Sequence, residues 1–391
     1  MKLSPGLKQF VKEHETDDVH SLALQAGKYP DIDMETAIRQ IKGRRIAKDK
    51  IPSWYAAEDI IYPRHLSLEQ SSSEATAIYK RSLCKGNIMA DLTGGMGVDI
   101  SFLSADFEQA IYIEQQEELA EIATHNFNIL GLDNITAINA DGVNYLSVMQ
   151  PVDLIYIDPA RRDDTGKKTV RIEDCTPNIL DIEDLLEKKS GMAMIKLSPM
   201  LDISLALNSL RNISDVHIVA VNNEVKELLF MKQKDAGQAT YHCVNILKDN
   251  TEEYTFQKED ENSASVSYST QIYAYLYEAN ASIMKGGAYK SIANSFSLEK
   301  LHPSSHLYTS DVLQNDFPGR KFIVKTVCSL NKKDIKEHLS GLKQANITVR
   351  NFPLSVQEIR KKTGLKEGGE VYIFATTLFD ERKVLIICEK A

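Results

Sequence analysis

Cysteine is scarce in this chain. Five residues, at 84, 175, 243, 328 and 388, are scattered over 391 positions, odd in number and without one Cys-x-x-Cys pair. That spacing argues against a disulfide framework or a thiolate zinc site and points to a reducing compartment. Long apolar runs are missing as well. The opening MKLSPGLKQFVKEHE carries charges where a secretory signal needs an apolar core, and no stretch approaches membrane-spanning length. The histidines, 302 and 306 among them, show no metal-ligand spacing with carboxylates or thiols. The expectation is a cytoplasmic protein with no membrane partner and no bound metal. Two nucleotide signatures are also absent, the dinucleotide turn G-x-G-x-x-G and the phosphate loop with its G-K-[ST] ending.

What is present is ordinary in bulk and uneven in detail. Apolar residues make up 43% and charged residues 26%, as in soluble globular proteins, and the length suggests two to four domains. The net charge of −9 hides an asymmetry: from Arg320 onward there are 15 Lys and Arg against 8 Asp and Glu, a balance of +7, which leaves −16 on the rest. A basic module on an acidic body suits a polyanionic partner.

Residues 1–70 read as a helical segment, with Met34, Ala37, Ile41 and Ile46 close to helical spacing. A further helix follows Ser73 as N-cap and carries Ala75, Ile78, Tyr79 and Leu83. Over 71–250, strand-like runs at 87–92, 110–114, 134–140, 153–158, 192–197, 215–222 and 239–247 alternate at first with helical stretches such as 116–131, with Gly131 as C-cap. That alternation predicts a parallel, doubly wound sheet. The polar stretch KDNTEEYTFQKEDENSAS (248–265) predicts a loop and a domain boundary. Residues 251–320 then form a small domain of mixed signals, and 321–391 read as a βαβαββ module with Asn331 capping its first helix.

The first chemical signal is DLTGGMGVD (91–99), directly after a predicted strand. Thr93, Gly94, Gly95 and Gly97 allow a tight turn and close approach of backbone to a ligand. The second strand ends in Glu114, placed to accept ribose hydroxyls, and the third leads to Asp141, placed to accept an adenine amino group. The fourth ends in Asp158. Such tips along one sheet edge favour an adenosyl ligand. The order Asp91, Gly95, Gly97, Glu114, Asp141, then Asp-Pro, resembles class I S-adenosylmethionine-dependent methyltransferases.

More closely, EQSSSEATAIYK (69–80), DLTGGMGVD, DPARR (158–162), NASIMKGGAYK (280–290), KLHPSSHLYTSD (300–311) and RNFPLS (350–355) resemble the methyltransferases with a C-terminal THUMP-like domain. The resemblance spans nearly the whole chain. It implies an α/β protein: a Rossmann-like class I methyltransferase core after an N-terminal helical segment, a small ferredoxin-like domain, and a C-terminal α+β THUMP-like domain of RNA-binding type. The implied cofactor is S-adenosyl-L-methionine.

In amino methyltransferases the fourth-strand tip is an acid or amide, then Pro-Pro and an aromatic that stacks on the target base. Here Asp158 and Pro159 match, Ala160 replaces the second proline, and Arg161 stands in the aromatic's place, where its guanidinium can lie on a base or grip a phosphate. Methylation at a pyrimidine C5 needs a cysteine nucleophile, and the fifth tip, KLSP, offers Ser198 instead. The reading is therefore transfer to a base nitrogen, with oxygen second, in tRNA or rRNA. A protein or small-molecule acceptor, or a non-catalytic adaptor that binds the cofactor or RNA, is the alternative. Gln70, Ser73 and Thr76 can bond the methionine end of the cofactor or cap the following helix. Lys196 can meet a phosphate or pair with Asp158. Arg162, Lys332, Lys333, Lys343, Arg350, Arg360, Lys361 and Lys362 complete the candidate RNA-binding set.

Overall fold

The computed structural model describes residues 3–63, 68–69, 71–161 and 172–391. The chain forms two compact units, one drawn from Met1–Val216 and Glu227–Gln238, the other from His217–Lys226 and Ala239–Ala391.

The first unit opens with helices α1 (Pro5–Glu13), α2 (Val19–Leu24), α3 (Met34–Lys50) and α4 (Pro52–Ala56). Ser4, Asp18 and Asp33 cap the first three by accepting backbone N–H bonds. Leu7, Phe10, Val11, Leu22, Ala37 and Ile41 close a small core between them. The chain then crosses Ile61 and Tyr62 without joining a sheet. Its backbone is satisfied by two side-chain amides: Gln40 gives and takes 3.0 Å bonds with Tyr62, and Asn126 does so with Ile61 at 2.9 and 2.8 Å. Further along the chain comes α5 (Glu74–Ser82), capped by Ser73.

Strands β1 (Gly86–Asp91), β2 (Phe107–Glu114), β3 (Ile135–Asn139), β4 (Val152–Ile157) and β5 (Ser190–Leu197) are parallel, in the order β3-β2-β1-β4-β5. Helices α6 (Val98–Leu103), α7 (Glu117–Leu130), α8 (Gly142–Val148) and α9 (Ile179–Lys189) lie between them in sequence. The central strands read as near-continuous apolar runs because such sheets are covered on both faces. The order reverses between β1 and β4, and at such a reversal ligands settle beyond the carboxyl ends of the strands.

Three expectations fail here. Helix α5 turns Thr76, Ala77 and Lys80 inward, while Ile78 is 51% exposed. Strand β7 (Glu224–Lys232) was not expected at all. It follows β6 (Ile213–Val221) through Asn222 and Asn223, whose φ of 49° and 65° are the paired positive values of a tight hairpin turn. It runs antiparallel to β5, and its last six residues are all buried, so no alternation marks it as a strand. Third, much of 248–265 is not loop. Strand β8 (Thr240–Ile246) pairs antiparallel with β9 (Thr251–Gln257), and a short helix covers Lys258–Ser263. The stretch looks like a linker because β9 is an edge strand that buries only Phe256, and edges are protected by charge.

The second unit also holds a seven-stranded sheet. β10 (Tyr275–Ala279), β11 (Glu299–Lys300), β12 (Leu307–Ser310), β13 (Gly319–Cys328), β14 (Asn346–Arg350), β15 (Val371–Thr377) and β16 (Lys383–Lys390) stand in the order β11-β12-β10-β13-β16-β15-β14. With the helices Lys332–His338 and Val356–Thr363, the expected βαβαββ succession is present from β13 to β16. It continues the sheet of β10–β12 through the β10–β13 pair. Buried Glu278 of β10 ties this junction, accepting a hydrogen bond from Arg320 at 2.7 Å and ion-paired with Arg350 at 2.7 Å.

Candidate active site

The carboxyl ends of β1 to β5 gather the predicted residues of the core. Asp91 closes β1 and is 1% exposed. Its Oδ1 accepts the Thr93 N–H at 2.9 Å, and the Thr93 hydroxyl accepts the Asp158 N–H at 2.7 Å, so the first and fourth tips are stitched together. Burial first, then the nearby carboxylates of Asp99, Asp158 and Glu114, push the Asp91 carboxyl well above its ordinary range against the pull of the Thr93 bond.

Glu114 holds the turn. One carboxylate oxygen accepts Gly95 N–H at 2.8 Å and the other accepts Gln116 N–H at 2.8 Å. The glycines have distinct reasons. A Cβ on Gly94 would stand 2.2 Å from the Tyr112 ring and one on Gly97 2.7 Å from Phe127, so these two serve internal packing. Gly95, at φ 53°, would meet nothing nearer than 3.7 Å, and its Cβ direction is open. Asp141 is exposed and caps α8 by accepting Asn144 N–H at 2.8 Å.

Asp158 is flanked by buried Pro159 and ion-paired with Lys196 of β5. Behind that pair lies a cluster the sequence reading did not assemble. Lys80 of α5 sits 2.6 Å from Glu227 of β7, 3.1 Å from Asp99 and 3.0 Å from the Ser72 hydroxyl. Asp99 also accepts from Ser72 and from the Tyr156 hydroxyl, each at 2.8 Å, and lies 4.0 Å from Lys196. Burial opposes ionisation of Asp99, yet Lys80, Lys196 and the two hydroxyl donors bring it below its ordinary value. Burial likewise opposes the charge on Lys196, and Asp158, Asp99 and Glu227 raise it above an ordinary lysine, so it is an ammonium. For Glu227 burial prevails over both lysines and the carboxyl is raised. Two lysines thus bridge three carboxyl groups drawn from α6, β7 and the β4 tip.

Ser73 and Thr76 bond to each other within the cap of α5, with the Thr76 hydroxyl donating to Ser73 O at 3.1 Å. Gln70 and Arg162 lie outside the described residues, as does the Arg161 side chain. In the basic module, Lys332, Lys333, Lys343, Lys361 and Lys362 are exposed. Arg350 is engaged by Glu278, and Arg360 donates to the carbonyls of Leu365 and Ala345 at 3.2 Å. Among the described residues, no cluster of three His, Cys, Asp or Glu has the geometry for a metal, and no helix is long and apolar enough to cross a membrane.

The strand order is that of a class I methyltransferase fold. Residues 275–318 match a family described as a ferredoxin-like domain, and 319–390 one described as THUMP domain-like. The crystal structure of a candidate methyltransferase from Porphyromonas gingivalis W83 is similar over 100% of both chains, with 32% identity and a TM-score of 0.90. The chain belongs to that family. An rRNA methylase from Streptococcus thermophilus (18% identity, TM-score 0.30) covers 41% of this chain and 95% of its own. M. capricolum TrmK with S-adenosyl-homocysteine (11% identity, TM-score 0.33) covers 56% and 82%. Neither of these two distant likenesses bears weight. No curated protein matches the chain. Family membership therefore rests on a full-length relative, and the site on its own geometry.

Proposed function

We propose that this protein is an S-adenosylmethionine-dependent methyltransferase acting on structured RNA, of tRNA or rRNA type, in the cytoplasm. The observation that carries the cofactor is the Glu114–Gly95 bond. It fixes a carboxylate beside a turn whose open side faces away from the fold. Each Glu114 oxygen is held by one backbone N–H, and a carboxylate oxygen can accept a second bond, so the pair suits the two ribose hydroxyls of an adenosyl group. Exposed Asp141 suits the adenine amino group, Gly95 admits close backbone contact, and Gln70, Ser73 and Thr76 remain the candidates for the methionine end. When bound, the cofactor's sulfonium supplies an electrophilic methyl group.

What the chain supplies is placement of the acceptor and a route for its proton. Asp158 stands at the reversal of strand order, partly exposed, with its carboxylate held by Lys196. A base nitrogen is the acceptor favoured by the sequence, its N–H donated to Asp158. RNA is supported by the +7 balance from Arg320 onward and by five exposed lysines in the THUMP-like domain. Lys332, Lys333, Lys343, Lys361 and Lys362 are the phosphate contacts, with Arg162 as a further candidate from the sequence. Arg350 and Arg360 serve the fold of the module instead.

The test is transfer of a tritiated methyl group into total RNA from cells lacking this protein. Incorporation into RNA supports the reading. Incorporation only into protein or small molecules would replace it.

A further inference from the structure

The Asp158–Lys196 pair carries information about the acceptor atom. An exocyclic amine offers donors and, because its lone pair is delocalised into the ring, little acceptor capacity. It is matched by two acceptors. A hydroxyl is both donor and acceptor. The site presents one of each: the Asp158 carboxylate and, paired with it, a buried lysine that its carboxylate neighbours keep protonated. Charge points the same way. On methyl transfer an amine nitrogen becomes cationic, which a buried ammonium opposes, whereas a hydroxyl oxygen losing its proton gains negative charge, which the ammonium favours.

The supporting cluster is built to hold that ammonium in place. Lys80 ties Asp99 and Glu227 together, and Asp99 stands 4.0 Å from Lys196. In sequence, the tip offers Ala160 and Arg161 at the positions where a base-stacking ring would follow the proline.

Resting on the methyltransferase reading, we propose that the acceptor is a hydroxyl, in RNA the ribose 2′-hydroxyl, bound between Lys196 and Asp158. Lys196 donates to the hydroxyl oxygen and the hydroxyl donates to Asp158. As the O–CH3 bond forms from an oxygen lone pair, the S–CH3 bond breaks and its electron pair stays on sulfur as a neutral thioether. The O–H bond breaks and its proton passes to the Asp158 carboxylate, then to solvent. Lys80, Asp99 and Glu227 are positioning residues. This replaces the base nitrogen as acceptor and makes recognition of a particular base unnecessary at the reacting atom.

The experiment is alkaline hydrolysis of RNA methylated by the wild-type chain with tritiated S-adenosylmethionine. A 2′-O-methyl group blocks cleavage of the adjoining phosphodiester bond, so label in alkali-resistant dinucleotides is the expected result. Label in mononucleotides would overturn the hydroxyl while leaving RNA methylation standing. No label in RNA, with cofactor binding intact, would overturn both. Lys196→Met should lose transfer at least a hundredfold without weakening cofactor binding, and Lys196→Arg should recover part of it. Transfer by Lys196→Met at the wild-type rate would also overturn the proposal.

Discussion

Lys80 and Glu227, 147 positions apart, meet at 2.6 Å with both side chains out of solvent. This contact joins the helix before β1 to the antiparallel strand β7, and Asp99 completes it at 3.1 Å from the same lysine. Removing one partner of a buried ion pair leaves an uncompensated charge and costs about 3–5 kcal/mol. Lys80→Met should therefore lower the urea midpoint by that equivalent, while Glu227→Gln, which keeps the packing and a hydrogen-bond acceptor, should cost less. Equal stability of Lys80→Met and wild type would show that the cluster does not form.

The glycine turn gives a paired prediction. Gly94→Ala drives a Cβ into the Tyr112 ring and should destabilise by about 1–3 kcal/mol, as overpacking does. Gly95→Ala meets no close atom, so its cost is mainly that of a positive φ, about 1–2 kcal/mol. Its Cβ enters the space assigned to cofactor. Thermal melts should show Gly94→Ala as the less stable, and titration with S-adenosylmethionine should show Gly95→Ala as the weaker binder relative to its stability.

Asp91 sets a pH dependence. Its folded pKa lies above the unfolded value, so the folded chain binds the extra proton between the two. This contribution to stability is complete below the unfolded pKa near 3.8 and is lost as pH rises through the folded value. Asp91→Asn keeps the acceptor for Thr93 N–H and lacks that loss. The melting temperature of the variant minus that of wild type should become more positive as pH rises from near 3.8 through the raised folded value. A constant difference would contradict the buried, raised carboxyl.

Much of this core is legible in the sequence because parallel strands announce themselves as apolar runs and their tips as turns and acids. DLTGGMGVD, Glu114 and Asp158 fall on one edge for that reason. The supporting cluster is not legible, because its members look like surface. Lys80 sits in a helix whose apolar residues suggest the other face, and Glu227 lies in β7, where a run buried on both sides has no period of two. One clue was charge inside that run, at Glu227 and Lys232, since a buried charge needs a partner. The edge strand β9 was hidden for the opposite reason, its polar composition being that of a protected edge. Ser73 and Thr76 show a third limit. A hydroxyl pair at a helix start reads as cap or ligand contact, and in the structure the two bond to each other.

The basic module separates phosphate-binding lysines from structural arginines. Replacing Lys332, Lys333, Lys343, Lys361 and Lys362 by Gln should weaken RNA binding at low salt. It should also flatten the salt dependence by about 0.7 log units per log unit of salt for each single-stranded phosphate no longer neutralised. Arg350→Gln should act on stability instead, since it removes one of the two arginines paired with buried Glu278. A salt response unchanged by the five replacements would remove these lysines from the RNA surface.

Everything proposed for the reaction depends on an adenosyl site at Gly95 and Glu114, and isothermal titration with S-adenosylmethionine examines that site without needing the acceptor. The wild-type chain should bind. Glu114→Ala should lose roughly ten- to a hundredfold in affinity, the worth of about 1.5–3 kcal/mol for hydrogen bonds to a charged group. No binding by the folded wild-type chain, or equal affinity in Glu114→Ala, would contradict an adenosyl site there.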